Sequence, residues 1–357
     1  MKKVLHVSYG GLGFGGVSSV IFSIVEPLFT KFDFGCVVFQ KKCEREGEFE
    51  KYGKIHRIKC YSGKFFEKIF RNFIMYKGIY KICKENKYDV IHVHNQSDAG
   101  IVLKAAAKAG VKNRIVHSHN TTSTKKQSFF KKLMASKNLK LINKYSTAKV
   151  GCSKKACDDF FKADDCSVIY NSIDLNKFNL NLRVPHEGVR FIHVGRFCAQ
   201  KNQQFLLKVF NEVRKTIKNA TLKLIGFGED EELLKSQIKN LGLEGCVELT
   251  TGNNDFVAKS FYQSDYMIFP SKFEGFGIVL LEAQASGCFC FVSNEIQSEA
   301  DCGLIKKISL SKDEKTWADI IIEQIKSFNV NYSGLNNKLK AYDKGEIAKE
   351  YAKLYEI

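Results

Sequence analysis

Two stretches in the second half of this 357-residue chain hold side chains whose types and spacing could do chemistry. In PSKFEGFGIVLLEAQASG (270–287), an apolar run ends at Pro270-Ser271. A loop with Glu274, Gly275, Phe276 and Gly277 follows, and a helical pattern begins near Ile278 and holds Glu282. Glycines let a backbone come close to a ligand. A helix start adds free N–H groups and the positive end of the helix dipole, which suits a diphosphate. Glu282 stands among Val279, Leu280, Leu281, Ala283 and Ala285. A carboxylate there needs a partner, and ribose hydroxyls would supply one. Glu274 could do the same for a sugar. The plain alternative for either residue is a solvated glutamate, the usual fate of that side chain. In HVGRFCAQKNQQ (193–204), a strand pattern ends at Gly195, and Arg196 and Lys201 follow before a helix. Two cations at the carboxyl end of a strand suit a diphosphate leaving group, whose charge grows in the transition state. Either one alone reads as easily as a solvated basic residue.

A third stretch, SYGGLGFGGVSSVI (8–21), spells G-x-G-x-x-G with Gly11, Gly13 and Gly16. That is the pattern of a dinucleotide-binding turn and supports an alternative reading as an NAD(P)-dependent oxidoreductase. Such a site expects an acid at the end of the second strand. Here FDFGCVVFQ is followed by Lys41-Lys42, which demotes the reading; a 2′-phosphate could still tolerate the lysines.

The elements that must position these residues alternate between strand and helix patterns. KVLHVSY, FGCVVF, DVIHVH, RIVHSH, AKVGCS and CSVIYN are strand-like in the first half. After a polar pause, VRFIHVG, TLKLIG, YMIFPS and CFCFVS repeat the plan. Helices are expected from Val17 to Phe29, from Gln203 to Ile217, over DEELLKSQIKNLGL and over IVLLEAQASG, the last closed by Gly287. The fold class is therefore α/β, with two doubly wound parallel-sheet domains facing across a cleft. The expected boundaries are 1–180, a linker at 181–188, 189–340, and a last helix at 341–357 packing at the domain junction. In such sheets, ligands sit beyond the carboxyl ends of the strands.

Composition narrows the classes. A net charge of +18 favours an anionic partner. No zinc, helix-turn-helix or RNP-type pattern supports a nucleic-acid binder. The twelve cysteines contain no C-x-x-C pair, and several lie inside apolar runs as small core residues. With no signal peptide and no apolar run of about 18 residues, a cytoplasmic protein with reduced thiols is expected.

Together these stretches resemble the retaining glycosyltransferases of the GT-B fold, group 1 (family 4), over nearly the whole chain. Gly195-Arg196 with Lys201-Asn202 matches that family's G-R-x-x-x-x-K-N, and Glu274 with Glu282 matches its paired-glutamate segment. VIYNSIDLNKF (168–178) is similar to its V-I-P-N-G-I-D-x-x-x-F, with departures at Tyr170 and Ser172. LIGFGEDEELL and SDYMIFPS follow in the family's order. The resemblance implies that Arg196 and Lys201 hold the donor diphosphate, that Glu282 binds the nucleotide ribose and that Glu274 contacts the donor sugar. The backbone of Gly275, Phe276, Gly277, Ile278 and Val279 would cradle phosphate and sugar, with Gly195 and Ser271 beside them. HSHNT matches the family's strand-end histidine and favours His119 over His117, placing it near the reacting carbon; the alternative for His119, and more strongly for His117 and His92, is a packed strand histidine. Gly15 and Gly16 match the pair that opens the first helix and faces the donor phosphates. A sugar-nucleotide epimerase of the same fold is the other alternative.

The implied reaction transfers a sugar from a nucleotide-diphosphate sugar, expected to be a UDP-sugar, to a glycan or lipid-linked glycan in bacterial surface polysaccharide assembly. No D-x-D occurs, so no metal and no cofactor are expected. Residues 61–80 hold seven aromatics with four cations, and 121–144 hold seven lysines and no acid around Phe129, Phe130, Leu133 and Met134. Basic, aromatic helices suit an anionic membrane surface, so peripheral binding to the inner face of the cell membrane is expected. The alternative is core aromatics with solvated lysines.

Overall fold

A computed structural model describes the chain except residues 60–64, 95–96, 120–128, 162–164 and 328–331, and except the side chains of 65–69 and 129–131. The chain divides into two compact units, residues 1–172 with 344–357, and residues 173–343. The boundary therefore lies ahead of the expected 180. The turn at 173–178 is tied to the second unit, where the Ile173 N–H donates to the Tyr342 carbonyl and Lys177 pairs with Asp255 at 2.7 Å.

The first unit carries β1 (Lys3–Ser8), β2 (Asp33–Val38), β3 (Gly53–Arg57), β4 (Val90–Val93), β5 (Asn113–Ser118), β6 (Ala148–Gly151) and β7 (Cys166–Val168). They form one parallel sheet in the order β3-β2-β1-β4-β5-β6-β7. Its helices are α1 (Gly16–Leu28), α2 (Glu46–Phe49), α3 (Phe65–Asn86), α4 (Ala99–Ala109), α5 (Phe129–Tyr145) and α6 (Lys154–Phe161). The strand β4 is apolar or histidine-bearing at every position, and both it and the more polar β5 are buried along nearly their whole length, as parallel strands are. Helix α4 stops at Gly110, whose φ of +94° is the left-handed value glycine accepts without strain.

The second unit has α7 (Gln203–Thr216), α8 (Glu231–Asn240), α9 (Asn254–Tyr262), α10 (Ile278–Ala285), α11 (Glu314–Lys326) and α12 (Leu335–Lys340) around a six-stranded sheet. The strands are β8 (Val189–Val194), β9 (Ala220–Ile225), β10 (Val247–Thr250), β11 (Tyr266–Phe269), β12 (Phe289–Ser293) and β13 (Ile305–Ile308), in the order β10-β9-β8-β11-β12-β13. In both sheets the order reverses beside the first strand, the switch point at which doubly wound folds bind ligands. The last helix, α13 (Lys344–Glu356), returns to the first unit and packs on α1.

One expectation about cysteine changes. Among the described residues nine cysteines are free, but Cys157 and Cys166 form a disulfide with Cα atoms 5.8 Å apart. Helix α6 leads directly to β7 and packs beside it, which brings together two residues whose spacing carries no pairing signal.

Candidate functional site

In the second unit, the end of β8 and the loop before α10 meet. The Lys201 Nζ lies 2.6 Å from the Glu274 Oε1, and both side chains are largely buried, 16% and 9% exposed. The same ammonium sits 4.8 Å from the centre of the Phe269 ring. The lysine stem passes over Gly195, where a Cβ would stand 3.4 Å from the Lys201 Cε. Residue 195 therefore borders the cation's path closely.

The start of α10 carries neither a side-chain cap nor an acid in its first turn, and Gly277 caps it at φ +85°. Backbone hydrogen bonding begins with the Leu280 N–H donating to the Gly277 carbonyl at 2.9 Å. Among the described residues, the N–H groups of Ile278 and Val279 have no backbone acceptor. Phe276 is buried against Tyr342, so only its backbone can serve a ligand. The far end is closed by Gly287 at φ +82°. The Gly287 N–H donates to Gln284 and the Cys288 N–H to Ala283, a Schellman closure.

Glu282 has no hydrogen-bond donor on its carboxylate among the described residues. Burial pushes its pKa up to about 7, and only the positive Lys177 pulls the other way. By area the residue is only half-buried. Ser271 is fully buried and its hydroxyl has no partner among the described residues, while its carbonyl accepts from the Ser293 hydroxyl at 2.5 Å.

Arg196 stands apart from this pair. It is two-thirds exposed and bridges to Glu229 at 2.9 Å. Glu229 lies in the LIGFGEDEELL stretch, and nothing in its spacing marked it as a partner. Gln203 was also missed. Its amide donates to the Arg196 carbonyl at 2.8 Å and lies 3.2 Å from the His193 Nε2, fastening the loop that carries Arg196.

In the first unit, Gly15 caps α1 with no side-chain cap, and a Cβ at Gly15 or Gly16 would meet nothing within 4 Å. Gly11 and Gly13 differ. A Cβ at Gly11 would stand 2.6 Å from Gln40 and 2.7 Å from Cys43, and one at Gly13 2.7 Å from Glu44. Those two glycines serve close packing against the loop after β2, and the open pair is Gly15-Gly16. His119, just past β5, is 9% exposed with its Nε2 2.8 Å from the His94 Nδ1. His117 and His92 are wholly buried beside it.

Comparison with known proteins gives the family. A family model described as "Glycosyltransferase Family 4" matches residues 14–177, and one described as "Glycosyl transferases group 1" matches 177–307. EpsF of Bacillus subtilis, itself named as a glycosyltransferase, is 30% identical over 69% of this chain and 68% of its own length. The chain belongs to the group 1, family 4 glycosyltransferases. The capsular polysaccharide biosynthesis glycosyltransferase CapH of Staphylococcus aureus is 28% identical over 90% of each chain. HepE of Anabaena, solved in complex with UDP-glucose, shares the fold with a TM-score of 0.79 over 99% of each chain at 18% identity. The fold is thus of the GT-B type. The oxidoreductase reading of the first glycine loop gives way to this family assignment.

Proposed function

We propose that this glycosyltransferase moves a sugar, with retention at the anomeric carbon, from a UDP-sugar to a lipid-linked glycan during assembly of a bacterial surface polysaccharide. The observation that carries the reading is the buried Lys201–Glu274 pair beside the uncapped start of α10, one turn before the unpartnered carboxylate of Glu282. Lys201 and Arg196 bind the diphosphate, joined by the N–H groups of Ile278 and Val279. Glu282 accepts from the ribose hydroxyls, and Glu274, held by Lys201, accepts from a sugar hydroxyl. Ser271 and the backbone of Gly275, Phe276 and Gly277 border the donor. From the first unit, Gly15, Gly16 and His119 take the parts the family resemblance gives them.

As the sugar–phosphate bond breaks, negative charge grows on the leaving phosphate, and Lys201, Arg196 and the helix dipole stabilise it. The acceptor hydroxyl attacks the face that the diphosphate leaves. Its proton passes to the departing phosphate oxygen, so no enzyme nucleophile is needed. The reading requires no metal and no cofactor.

The lipid-linked acceptor is supported by apolar and basic surface on α3 and α5. Phe70, Phe73, Leu133 and Met134 are exposed, and Lys77 lies over the Phe73 ring at 4.4 Å. Met75, Ile79 and Cys83 of α3 are core and Tyr76 packs against them, while Phe70, Phe73 and Tyr80 stay exposed. The remainder of the two basic stretches, 61–64 and 121–128 with the side chains of 65–69 and 129–131, lies outside the described residues. Among the described residues, no helix is long and apolar enough to cross a membrane. The reading places the protein at the inner face of the cell membrane.

Two measurements test this. Transfer from a panel of sugar nucleotides to a polyprenyl-diphosphate glycan should work best with a UDP-sugar, and Glu282→Ala should lower it by roughly a hundredfold. Wild-type rates in that variant would remove the donor site. Sedimentation with anionic vesicles should show salt-sensitive binding that Phe70→Ser with Phe73→Ser reduces.

A further inference from the structure

Five histidines from three adjacent strands crowd one face of the first sheet. They are His6 of β1, His92 and the following His94 at β4, and His117 and the following His119 at β5. Their rings lie 3.9–5.6 Å from neighbouring rings in the set. Tyr351 and Tyr355 of α13 close the pile on the other side. The nitrogens are ordered. The His6 Nδ1 lies 2.9 Å from the His94 Nε2, and the His94 Nδ1 lies 2.8 Å from the His119 Nε2. A separate pair of contacts joins the Tyr355 hydroxyl to the His92 Nδ1 at 2.7 Å and the His92 Nε2 to the His117 Nδ1 at 3.3 Å.

Burial holds all five rings neutral; His6 and His119 are lowered to about 3. A neutral imidazole has one N–H and one lone pair. The His6–His94–His119 chain can therefore run in only two directions. If His119 donates inward from Nε2, then His94 donates from Nε2, and the proton on His6 must sit on its own Nε2. That atom is buried and has no partner among the described residues. A buried N–H without an acceptor carries the full desolvation penalty, and orphaned buried N–H groups are rarer in native proteins than under-satisfied acceptors. The outward direction avoids the orphan: His6 donates from Nδ1, His94 donates from Nδ1, and His119 accepts at Nε2.

We propose that His6 and His94 are positioning residues that fix His119 as the Nδ1–H tautomer, so that its remaining nitrogen is a permanent hydrogen-bond donor for a sugar oxygen. The sugar-binding half of this statement rests on the function proposed above; the tautomer half does not.

Selective ¹⁵N-histidine labelling and long-range ¹H–¹⁵N correlation on the full chain, without substrate, reads the tautomer directly. His119 should be Nδ1–H, unchanged between pH 6 and 8. In His6→Phe the chain loses its first donor, and His119 should become a mixture of tautomers; His6→Asn, whose amide can donate to His94, should restore the single form. In the transfer assay His6→Phe should lower kcat roughly tenfold, about the worth of one hydrogen bond, with KM little changed. An Nε2–H form of His119 in the wild type overturns the proposal, and that result does not depend on the variant folding. So does an unchanged tautomer in His6→Phe. Zinc bound at one equivalent in the isolated protein also overturns it, because His94, His117 and His119 each offer a nitrogen within 4.8 Å of the others. A correct tautomer with no transfer from any sugar nucleotide would instead leave the positioning intact and remove the proposed function.

Discussion

The two units bury polar groups near the carboxyl ends of their strands in opposite ways. The second unit keeps a charged couple, Lys201 with Glu274, and pays with desolvation that the contact offsets. The first removes charge altogether by stacking neutral imidazoles. A couple of full charges can hold an anionic ligand and answer its changing charge. A neutral pile cannot, but it can hold one ring in one orientation at any pH near neutrality. A charged couple suits an anionic ligand, and a neutral pile suits an uncharged one.

The contrast should be sharpest in acid. The unfolded histidines bind protons near pH 6.5 while the folded ones resist, so the unfolded state takes up more protons as pH falls. Stability present above about pH 6.5 is lost as pH drops toward 3, by about 1.4 kcal/mol per pH unit for each such histidine. Urea titrations from pH 7.5 to 5 should show this, and His6→Phe should flatten the slope. A pH-independent midpoint would contradict the neutral pile.

Next in size, Lys201→Ala removes the cation that faces the buried Glu274 carboxylate and should cost about 3–5 kcal/mol in denaturant midpoint analysis. Lys201→Met with Glu274→Leu should recover most of that stability and none of the transfer activity. If the double substitution restores activity, the pair is structural only.

Glu282 gives a smaller effect of opposite sign. Its folded pKa of about 7 lies above the ordinary 4.5, so the folded state holds the extra proton. The ligand-free protein therefore loses stability as pH rises from about 4.5 through about 7, and Glu282→Gln should abolish that component. UDP affinity, measured by calorimetry, should rise over pH 6 to 8 as the carboxylate forms, and stay flat in Glu282→Gln. His193, lowered to about 4 in the same unit, contributes in the other direction below pH 6.5, so the comparison is made between variant and wild type.

The smallest effect belongs to the exposed Arg196–Glu229 bridge. Glu229→Ala should leave the denaturant midpoint essentially unchanged, while freeing Arg196 for phosphate. A large loss of stability would mean that this surface pair is not the weak interaction its exposure implies.

Much of the fold was legible because its signals are local. Apolar runs, glycine stops and polar breaks mark most of the strands and the helices α1, α7, α8, α10 and α13, whereas β3, β10, β13 and helices such as α4, α9 and α11 were not marked. Glu274, Glu282, Arg196 and Lys201 stood out through their short-range spacing. What was illegible is long-range. Lys201 and Glu274 are 73 residues apart, and only the adjacency of β8 and β11 joins them. Arg196 finds Glu229 because β9 lies beside β8. The histidine pile had a signal that went unused: HVH in β4 and HSH in β5 place each pair on one face, by the two-residue period of a strand. The disulfide and the earlier unit boundary had none.

Helix α13 gives the order of synthesis a consequence. Tyr351 and Tyr355, which close over the histidines, are translated after the whole of residues 173–343. The first unit therefore leaves the ribosome unfinished, with its rings uncovered, and is completed only after the second has emerged. A stop codon near 343 would spare every residue of the second unit and still unmake the first.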